Sequence, residues 1–506
     1  MNIQKKIIPE EILLVIKTLE KNNLDPYFVG GCVRDLLRGL SPKDWDLTVK
    51  ASPEEIGQLF LRSFLDNKFG TVKVLISKKE KEKKKEKENL IEIEITPFRK
   101  EEKYSDKRHP DKVEWAKTIE EDLKRRDFTV NAMALKIKKS SKTKEEVFNL
   151  IDPYNGQKDL KNRIIKTVNN PQERFNEDAL RLIRAIRFAV SLDLKIWQIE
   201  KRTFKAIKEN AHFIRSISQE RIRDELLKIV NSVNGARGIE ILRRCHLLQY
   251  IIPELEEGFK IEQNKHHIYQ IYQHNLLSLN YACQKGFSTN VKLAALFHDI
   301  AKPRTKKGQG SNSTFYNHEI IGAKMTYQIL RKLKFSKKEI EKIVNLVKYH
   351  LFYYNPGEVG NSSVRRLLRK VGPENISELL EIRQADRIGS AVPKAEPYKL
   401  RHLKYLFEKI SQDPISPKML KINGYDIMRL LNISPGPKIG QILSYLLTLV
   451  LKEPHKNKQD FLENEIKSLK DLTDLELNRL AQKAEQEIEK IEIKKDEMTK
   501  KKYWIV

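Results

Sequence analysis

The apolar residues change period once along this chain, and that change constrains the fold more than any other feature. Up to about residue 155, short segments such as YFVGG, WDLTV, FGTVKVLI and LIEIEI alternate apolar and polar residues, the pattern of strands with one buried face. From about residue 156, LKNRI, NEDALRLIRAIRFAV, ERIRDELLKIV and GARGIEILRRC place apolar residues three and four apart, the spacing of amphipathic helices. That spacing continues to the C-terminus. The predicted architecture is α+β: a small head of mixed sheet with helices, then a long all-helical body. In the head, helices are expected over about residues 10–22, from about Val33 and from Pro53. The block KKEKEKKKEKE between the last two strands has nothing apolar to bury and reads as a disordered or frayed hairpin tip. SPGPKIG, near residue 435, marks a turn before a new helix. The segment from DLTDLELNRL to DEMTKKK reads as one long charged helix, either a solubilising tail or a dimer contact. No solenoid period is visible.

Lys plus Arg outnumber Asp plus Glu by 97 to 69, a net charge of +28. A field of that sign attracts polyanions and favours nucleic acid or an anionic membrane as partner, although a lysine-rich proteome would make any chain basic. Cys32, Cys245 and Cys283 form no C-x-x-C pair, so neither a disulfide framework nor a zinc ribbon is supported. The N-terminus does not read as a signal peptide, and the apolar run Ile442 to Leu451 is too short to span a bilayer. A soluble, cytoplasmic protein without a membrane partner is expected. No feature sets an oligomeric state.

The most informative stretch is FVGGCVRDLLRGLSPKDWDLTV. Gly30 and Gly31 end a short strand and precede a helix. Lacking Cβ atoms, they let backbone N–H groups approach a phosphate, and a helix N-terminus adds its dipole. Arg34, one turn in, is placed for a bidentate phosphate contact. By itself a Gly-Gly pair is as readily a tight turn. On the following strand, Asp44, Asp46 and Thr48 are expected on one face and Trp45, Leu47 and Val49 on the other. Neighbouring carboxylates repel unless cations neutralise them, and hard ions such as Mg²⁺ take oxygen ligands and bridge to phosphates. A solvated D-x-D is the plainer reading, which the preceding G-G-x-x-R-D disfavours.

GGCVRD followed by DWDL resembles the first motif of the polymerase-β-like nucleotidyltransferases, specifically the bacterial tRNA nucleotidyltransferase/poly(A) polymerase family. The resemblance continues in the family's order through EEDLKRRDFTVNAMA, IDPYNGQKDL, NEDALRLIRAIRFA and ERIRDELLKI, about the first half of the chain. It implies that Asp44 and Asp46 are catalytic and hold Mg²⁺. It implies too that Gly31, Arg34 and Arg126 meet the nucleotide's phosphates or ribose, with Gly30 and Asp127 in the same site. Glu94 is either a further carboxylate near the metals or an exposed strand glutamate. The implied activity is addition of C and A from CTP and ATP to the 3′ end of tRNA. Poly(A) synthesis and partial A- or CC-addition are alternatives. An alternative of another class is a metal phosphohydrolase with a non-catalytic RNA-binding head. In the family, a flexible loop matching EEKYSDKRHPDKVEW helps the switch from C to A, and its presence leans toward full CCA or terminal-A addition.

Asp178 and Arg181, three apart, are expected on one side of a helix. Cytosine and adenine each present an amino donor beside a ring-nitrogen acceptor, whereas uracil and guanine present a carbonyl there. An Asp–Arg pair therefore accepts C and A and leaves polar groups unpaired against U and G. The family uses the matching positions as a protein template, and the resemblance carries Arg184 and Arg187 to the triphosphate. Arginines facing water on an amphipathic helix are the competing reading, evenly weighed for Arg187.

In the second half, QHNLLSLNYA, AALFHDIAKPRT, NHEIIGAK, LVKYHL and RQADRIGS resemble the HD superfamily. The resemblance implies a metal held by His274, His298, Asp299 and Asp386. His318 and His350 fall where members with a second metal place ligands. Imidazole plus carboxylate suits Mn, Ni, Fe or Mg. Either phosphohydrolase activity or a scaffold for the acceptor stem follows. LKINGYDIMRLLNISPGPKIGQILSYLLTLVL resembles the tail of HD-containing members and implies a grip on the tRNA elbow through shape and phosphates. The expected segments are a nucleotidyltransferase head (1–155), a helical nucleotide-selecting neck (156–255), an HD-type helical domain (256–400) and a helical tRNA-binding tail (401–506).

Overall fold

The computed structural model describes residues 8–65, 70–77, 90–102, 112–139, 146–263, 268–411, 417–470 and 472–505. The chain forms two compact units: Met1–His350 with Glu381–Pro393, and Leu351–Leu380 with Lys394–Val506. This division differs from the four expected segments and passes through 256–400.

Among its described residues the head carries nine strands: β1 (Tyr27–Val29), β2 (Trp45–Val49), β3 (Ser63–Leu65), β4 (Val72–Ser77), β5 (Leu90–Pro97), β6 (Arg99–Glu102), β7 (Lys112–Trp115), β8 (Ala134–Lys139) and β9 (Glu146–Ile151). Seven form one sheet in the order β3-β4-β5-β2-β1-β8-β9, while β6 and β7 pair separately. β2 and β5 run parallel at its centre and set Asp46 opposite Glu94. Trp45, Leu47 and Val49 are buried, as are Phe28, Ile93 and Ile95, so the sheet has the packed face that the alternation predicts. Helix Glu10–Lys21 buries Ile12, Val15, Ile16 and Leu19, one stripe at helical spacing. Ser52 and Thr118 open helices Pro53–Gln58 and Ile119–Lys124 with capping boxes to Glu55 and Glu121. β4 and β5 pair up to Ser77 and Leu90. The charged block between them lies outside the described residues, as does 103–111 between β6 and β7.

The body is helical with one departure. Ile164–Ile165 and Gln198–Ile199 pair as parallel strands, too short for a period to reveal. Helices Leu180–Ser191, Gln219–Val230 and Gly235–Arg244 pack together. A Cβ on Gly238 would lie 2.4 Å from Ile229 Cγ2, so these helices approach closely only over a hydrogen. Helices Ile271–Gln284, Thr289–Phe297, His318–Lys332 and Lys337–Tyr349 follow. Helix Ile376–Gly389 divides between the units, its C-terminal part belonging to the first.

In the second unit, helices Gly424–Leu431, Pro437–Lys452, Gln459–Ser468 and Asp474–Lys502 bury Ile427, Ile442, Leu446, Leu462, Ile466 and Leu477 together. The long last helix is neither a detached tail nor a bare surface. It also buries Ala481 and Ala484, and its Asp496 accepts from Tyr405 (2.5 Å) and pairs with Lys409 (2.7 Å) of helix Tyr398–Ser411. Among the described residues no helix is long and apolar enough to cross a membrane.

Candidate active site and metal centre

Helix Gly31–Leu37 starts directly after Gly30, earlier than the Val33 start expected. Gly30 has φ 72°, and a Cβ there would stand 3.0 Å from Arg126 Nη1 and 3.4 Å from Asp46 Oδ2. Glycine at this position therefore lets the turn, the guanidinium and the carboxylate meet. A Cβ on Gly31 would find its nearest neighbour in Arg34, at 3.5 Å, so the helix N-terminus stays open.

Asp46 is half-buried in β2, whereas Asp44 precedes the strand and is exposed. Thr48 is not on an open face with them: it is fully buried and donates to Thr96 O at 2.8 Å. Burial, opposed by Arg126 and reinforced by the charges of Glu94 and Asp44, pushes the Asp46 carboxyl up to about 6. Glu94 is 44% exposed and lies 3.6 Å from Lys73 Nζ. It is thus a strand glutamate whose charge reaches Asp46. A carboxylate costly to ionise alone is relieved by a divalent cation, and an oxygen-only donor set fits Mg²⁺.

The arginines are held by carboxylates. Buried Asp122 grips Arg125 at 2.7 Å and Arg126 at 3.0 Å. Arg34 donates to Asn131 Oδ1 (2.8 Å) and to both oxygens of Asp35 (3.0 Å each). Asn131 donates in turn to Asp127 Oδ1 (3.1 Å), and Arg184 donates twice to Asp127 Oδ2 (2.6 and 3.0 Å). Despite burial, Arg184 holds the Asp127 carboxyl at about 2. With the Phe128 N–H also on Oδ1, both Asp127 oxygens are taken. Asp127 thus orients Arg184 beside Arg34 and Asn131. Arg34, Arg184 and Arg187 all point at the Phe188 ring, 5.6, 5.4 and 3.9 Å from its centroid. Arg187 does not face water: it is half-buried and pairs with Glu225 at 3.1 Å.

The geometry expected of Asp178 and Arg181 is corrected. Asp178 is not helical; it has φ −135° and ψ 105° at the junction between helices Pro171–Glu177 and Leu180–Ser191. Its side chain accepts from the Leu180 N–H (3.0 Å) and lies 3.4 Å from Arg221 Nη2. Short Asp side chains favour such helix starts, and this one breaks the helix that its neighbours' spacing suggests. Arg181 is buried and donates to Glu177 (2.6 Å), Arg174 O (3.1 Å) and Arg125 O (2.9 Å). Three of its five donors are committed, and no Asp178–Arg181 ion pair forms among the described residues.

In the second half the expected ligands converge: His274, His298, Asp299 and Asp386 come from three helical segments, and His318 and His350 from two more. His274 Nε2 lies 2.9 Å from His298 Nε2, 3.2 Å from Asp299 Oδ2 and 3.4 Å from Asp386 Oδ1. An ion bound at about 2.1 Å holds neighbouring ligands about 3.0–3.5 Å apart, so these residues fit one. The other oxygen, Asp299 Oδ1, faces His318 Nε2 (3.4 Å) and His350 Nε2 (3.8 Å). Nδ1 of His298, His318 and His350 lies 2.7–2.9 Å from the carbonyl three residues back. A carbonyl only accepts, so Nδ1 carries the proton and the Nε2 lone pair faces the centre.

Sequence reasoning missed Asn131, Phe188, Glu225 and Lys302, the last 2.7 Å from Asp299 Oδ2. All four lie inside motifs already singled out, but only the fold shows what each one touches.

Three family domains match the chain: the Poly A polymerase head domain over residues 26–166, the probable RNA and SrmB-binding site of polymerase A over 197–259, and the putative tRNA nucleotidyltransferase domain 2 over 318–466. The CCA-adding enzyme of Ligilactobacillus salivarius is 33% identical over 477 residues, 92% of this chain and 98% of the relative. The A-adding tRNA nucleotidyltransferase of Deinococcus radiodurans is 31% identical over 65% of this chain and 74% of its own length. The fold is also that of the Bacillus stearothermophilus CCA-adding enzyme solved with CTP (TM-score 0.55, 24% identity, covering 94% of this chain and 98% of that one). One-third identity along nearly the full length of a CCA-adding enzyme, with a head that gathers Gly30, Arg126 and Asp46 at one point, places the chain in a family: it belongs to the CCA-adding enzymes, tRNA nucleotidyltransferases that share their head with the poly(A) polymerases.

Proposed function

We infer that this chain adds C and A nucleotides from CTP and ATP to the 3′ end of tRNA. The observation that carries the reading is the relation to CCA-adding enzymes along nearly the whole chain, together with the carboxylates of the head. Asp44 and Asp46 would hold Mg²⁺, which would supply activation of the attacking hydroxyl and charge neutralisation on the pyrophosphate. The open helix start at Gly31 with Arg34 and Arg126 receives the triphosphate. Asp127 and Asn131 keep Arg184 and Arg34 in place. Asp178 and the two remaining donors of Arg181 read the base, acting from a helix junction and not from one helix face. The four segments named from the sequence and a cytoplasmic location belong to the same reading. The test supplies Mg²⁺ and single nucleotides to tRNAs ending before, within and after CCA. Growth that stops at the completed CCA is expected. Long A tails would make the chain a poly(A) polymerase, and A addition to CC ends alone an A-adding enzyme like the Deinococcus relative.

We propose further that His274, His298, Asp299 and Asp386, with His318 and His350 beside them, would hold divalent metal, and that water there would cleave the P–O bond of a phosphate ester, releasing the alcohol and phosphate. Three or more imidazoles favour Mn, Fe or Ni over Mg. A His298→Ala/Asp299→Ala variant should lose bound metal and phosphatase activity and keep nucleotide addition. Equal metal content and phosphatase activity in variant and parent would leave the centre a scaffold.

A further inference from the structure

Helices His318–Lys332 and Lys337–Tyr349 turn His318 and His350 toward the metal centre, and their opposite, solvent-facing sides form a groove of about 850 Å³. Ile320, Ala323, Val344, Tyr327 and Gln328 line it, together with Lys324, Arg331, Lys332, Lys334 and Lys348. The spacing of the first helix explains the composition, since positions 320, 324, 327, 328 and 331 recur every three or four residues on one face. Tyr327 is 46% exposed and Ile320 is 43% exposed.

Among the described residues no carboxylate lines this groove. Lys332 is engaged by the carbonyls of Tyr250 and Ile251. Among the described residues, Lys324, Arg331, Lys334 and Lys348 have no acidic partner. Glu341, one turn before Val344, is taken by Lys337 at 3.9 Å. Several uncompensated cations in one groove repel one another, a cost that a polyanion removes. An exposed aromatic ring and an apolar floor among them add a surface on which a base or ribose can lie. The volume falls in the range of ligand clefts.

We propose that this groove binds a segment of the tRNA acceptor, its phosphates on Lys324, Arg331, Lys334 and Lys348 and a base or ribose against Tyr327. The contact is separate from the nucleotide site in the head and from the metal centre. The proposal rests on tRNA being the substrate, as inferred above.

The test measures tRNA affinity across a salt series for the full-length parent and a Lys324→Ala/Arg331→Ala/Lys348→Ala variant. All three side chains are exposed, and an unchanged urea midpoint verifies the fold. The slope of log affinity against log salt should fall by about 2–3, at roughly 0.7–0.9 per lost phosphate contact. KM for tRNA should rise while kcat and KM for ATP stay at parent values. Tyr327→Ala should raise KM for tRNA and Tyr327→Phe should restore it. An unchanged slope overturns the proposal, as does a variant that loses binding of free ATP and keeps its tRNA affinity. Absence of nucleotide addition by the parent would strike the function inferred above, whereas the binding slope alone decides this one.

Discussion

Replacing Asp46 with asparagine should stabilise the protein while abolishing its activity. The Asp46 carboxyl is pushed from an ordinary 3.8 up to about 6, chiefly by burial. A carboxyl whose pKa is higher folded than unfolded stabilises the fold when protonated. That contribution is complete below about pH 3.8 and is lost as pH rises through about 6. Above this window the ionised group costs about 3 kcal/mol, at 1.36 kcal/mol per pH unit, and about half of that near pH 5. Asparagine keeps the shape and carries no charge. Without divalent metal at about pH 8, Asp46→Asn should therefore unfold at higher urea concentration than the parent, by up to about 3 kcal/mol. The difference should narrow as pH falls to 5. Saturating Mg²⁺ should raise the parent's midpoint more than the variant's, because the ion relieves the charge that only the parent carries. A variant no more stable than the parent at pH 8, or an advantage that does not change with pH, would refute the reasoning.

Asn131→Ala removes the acceptor of Arg34 and a donor to Asp127. It should raise KM for CTP and ATP roughly tenfold, about 1.4 kcal/mol, in steady-state assays, with a smaller effect on KM for tRNA. Asp178→Ala should narrow the preference for CTP over UTP by roughly 100-fold or more in competition assays, because a site built to pair an amino group rejects its absence strongly. Gly238→Val forces a side chain into Ile229 and should cost about 1–3 kcal/mol by urea unfolding, without altering nucleotide choice in the folded fraction.

In the head, β1, β2, β4 and β5 were legible because they alternate apolar and polar residues, and the glycine pair and carboxylates lie within seventeen residues of one another in sequence, whereas β3, β6, β7, β8 and β9 were not anticipated. The helical body was legible as helix, yet its two short strands were not, since two residues carry no period. Asp178 misled for a physical reason: flanking apolar spacing continues across it, while its own side chain caps the Leu180 N–H and interrupts the helix. The grouping of His274, His298, Asp299 and Asp386 was readable as a pattern, although only folding brings Asp386 within 3.4 Å of His274. The restraint on the arginines was invisible. Nothing in the order of residues pairs Arg187 with Glu225 or turns both oxygens of Asp127 to protein donors. The last helix showed its charge in sequence and hid its packing, because Leu477, Ala481 and Ala484 make a thin apolar stripe.

Nucleotide transfer by the head's two aspartates is tested most directly by one extension assay. A tRNA ending in CC is incubated with ATP and Mg²⁺, using the parent and an Asp44→Asn/Asp46→Asn variant shown to bind that tRNA as tightly. The parent should append a single A and the variant none. Extension by the variant at the parent's rate would contradict the account.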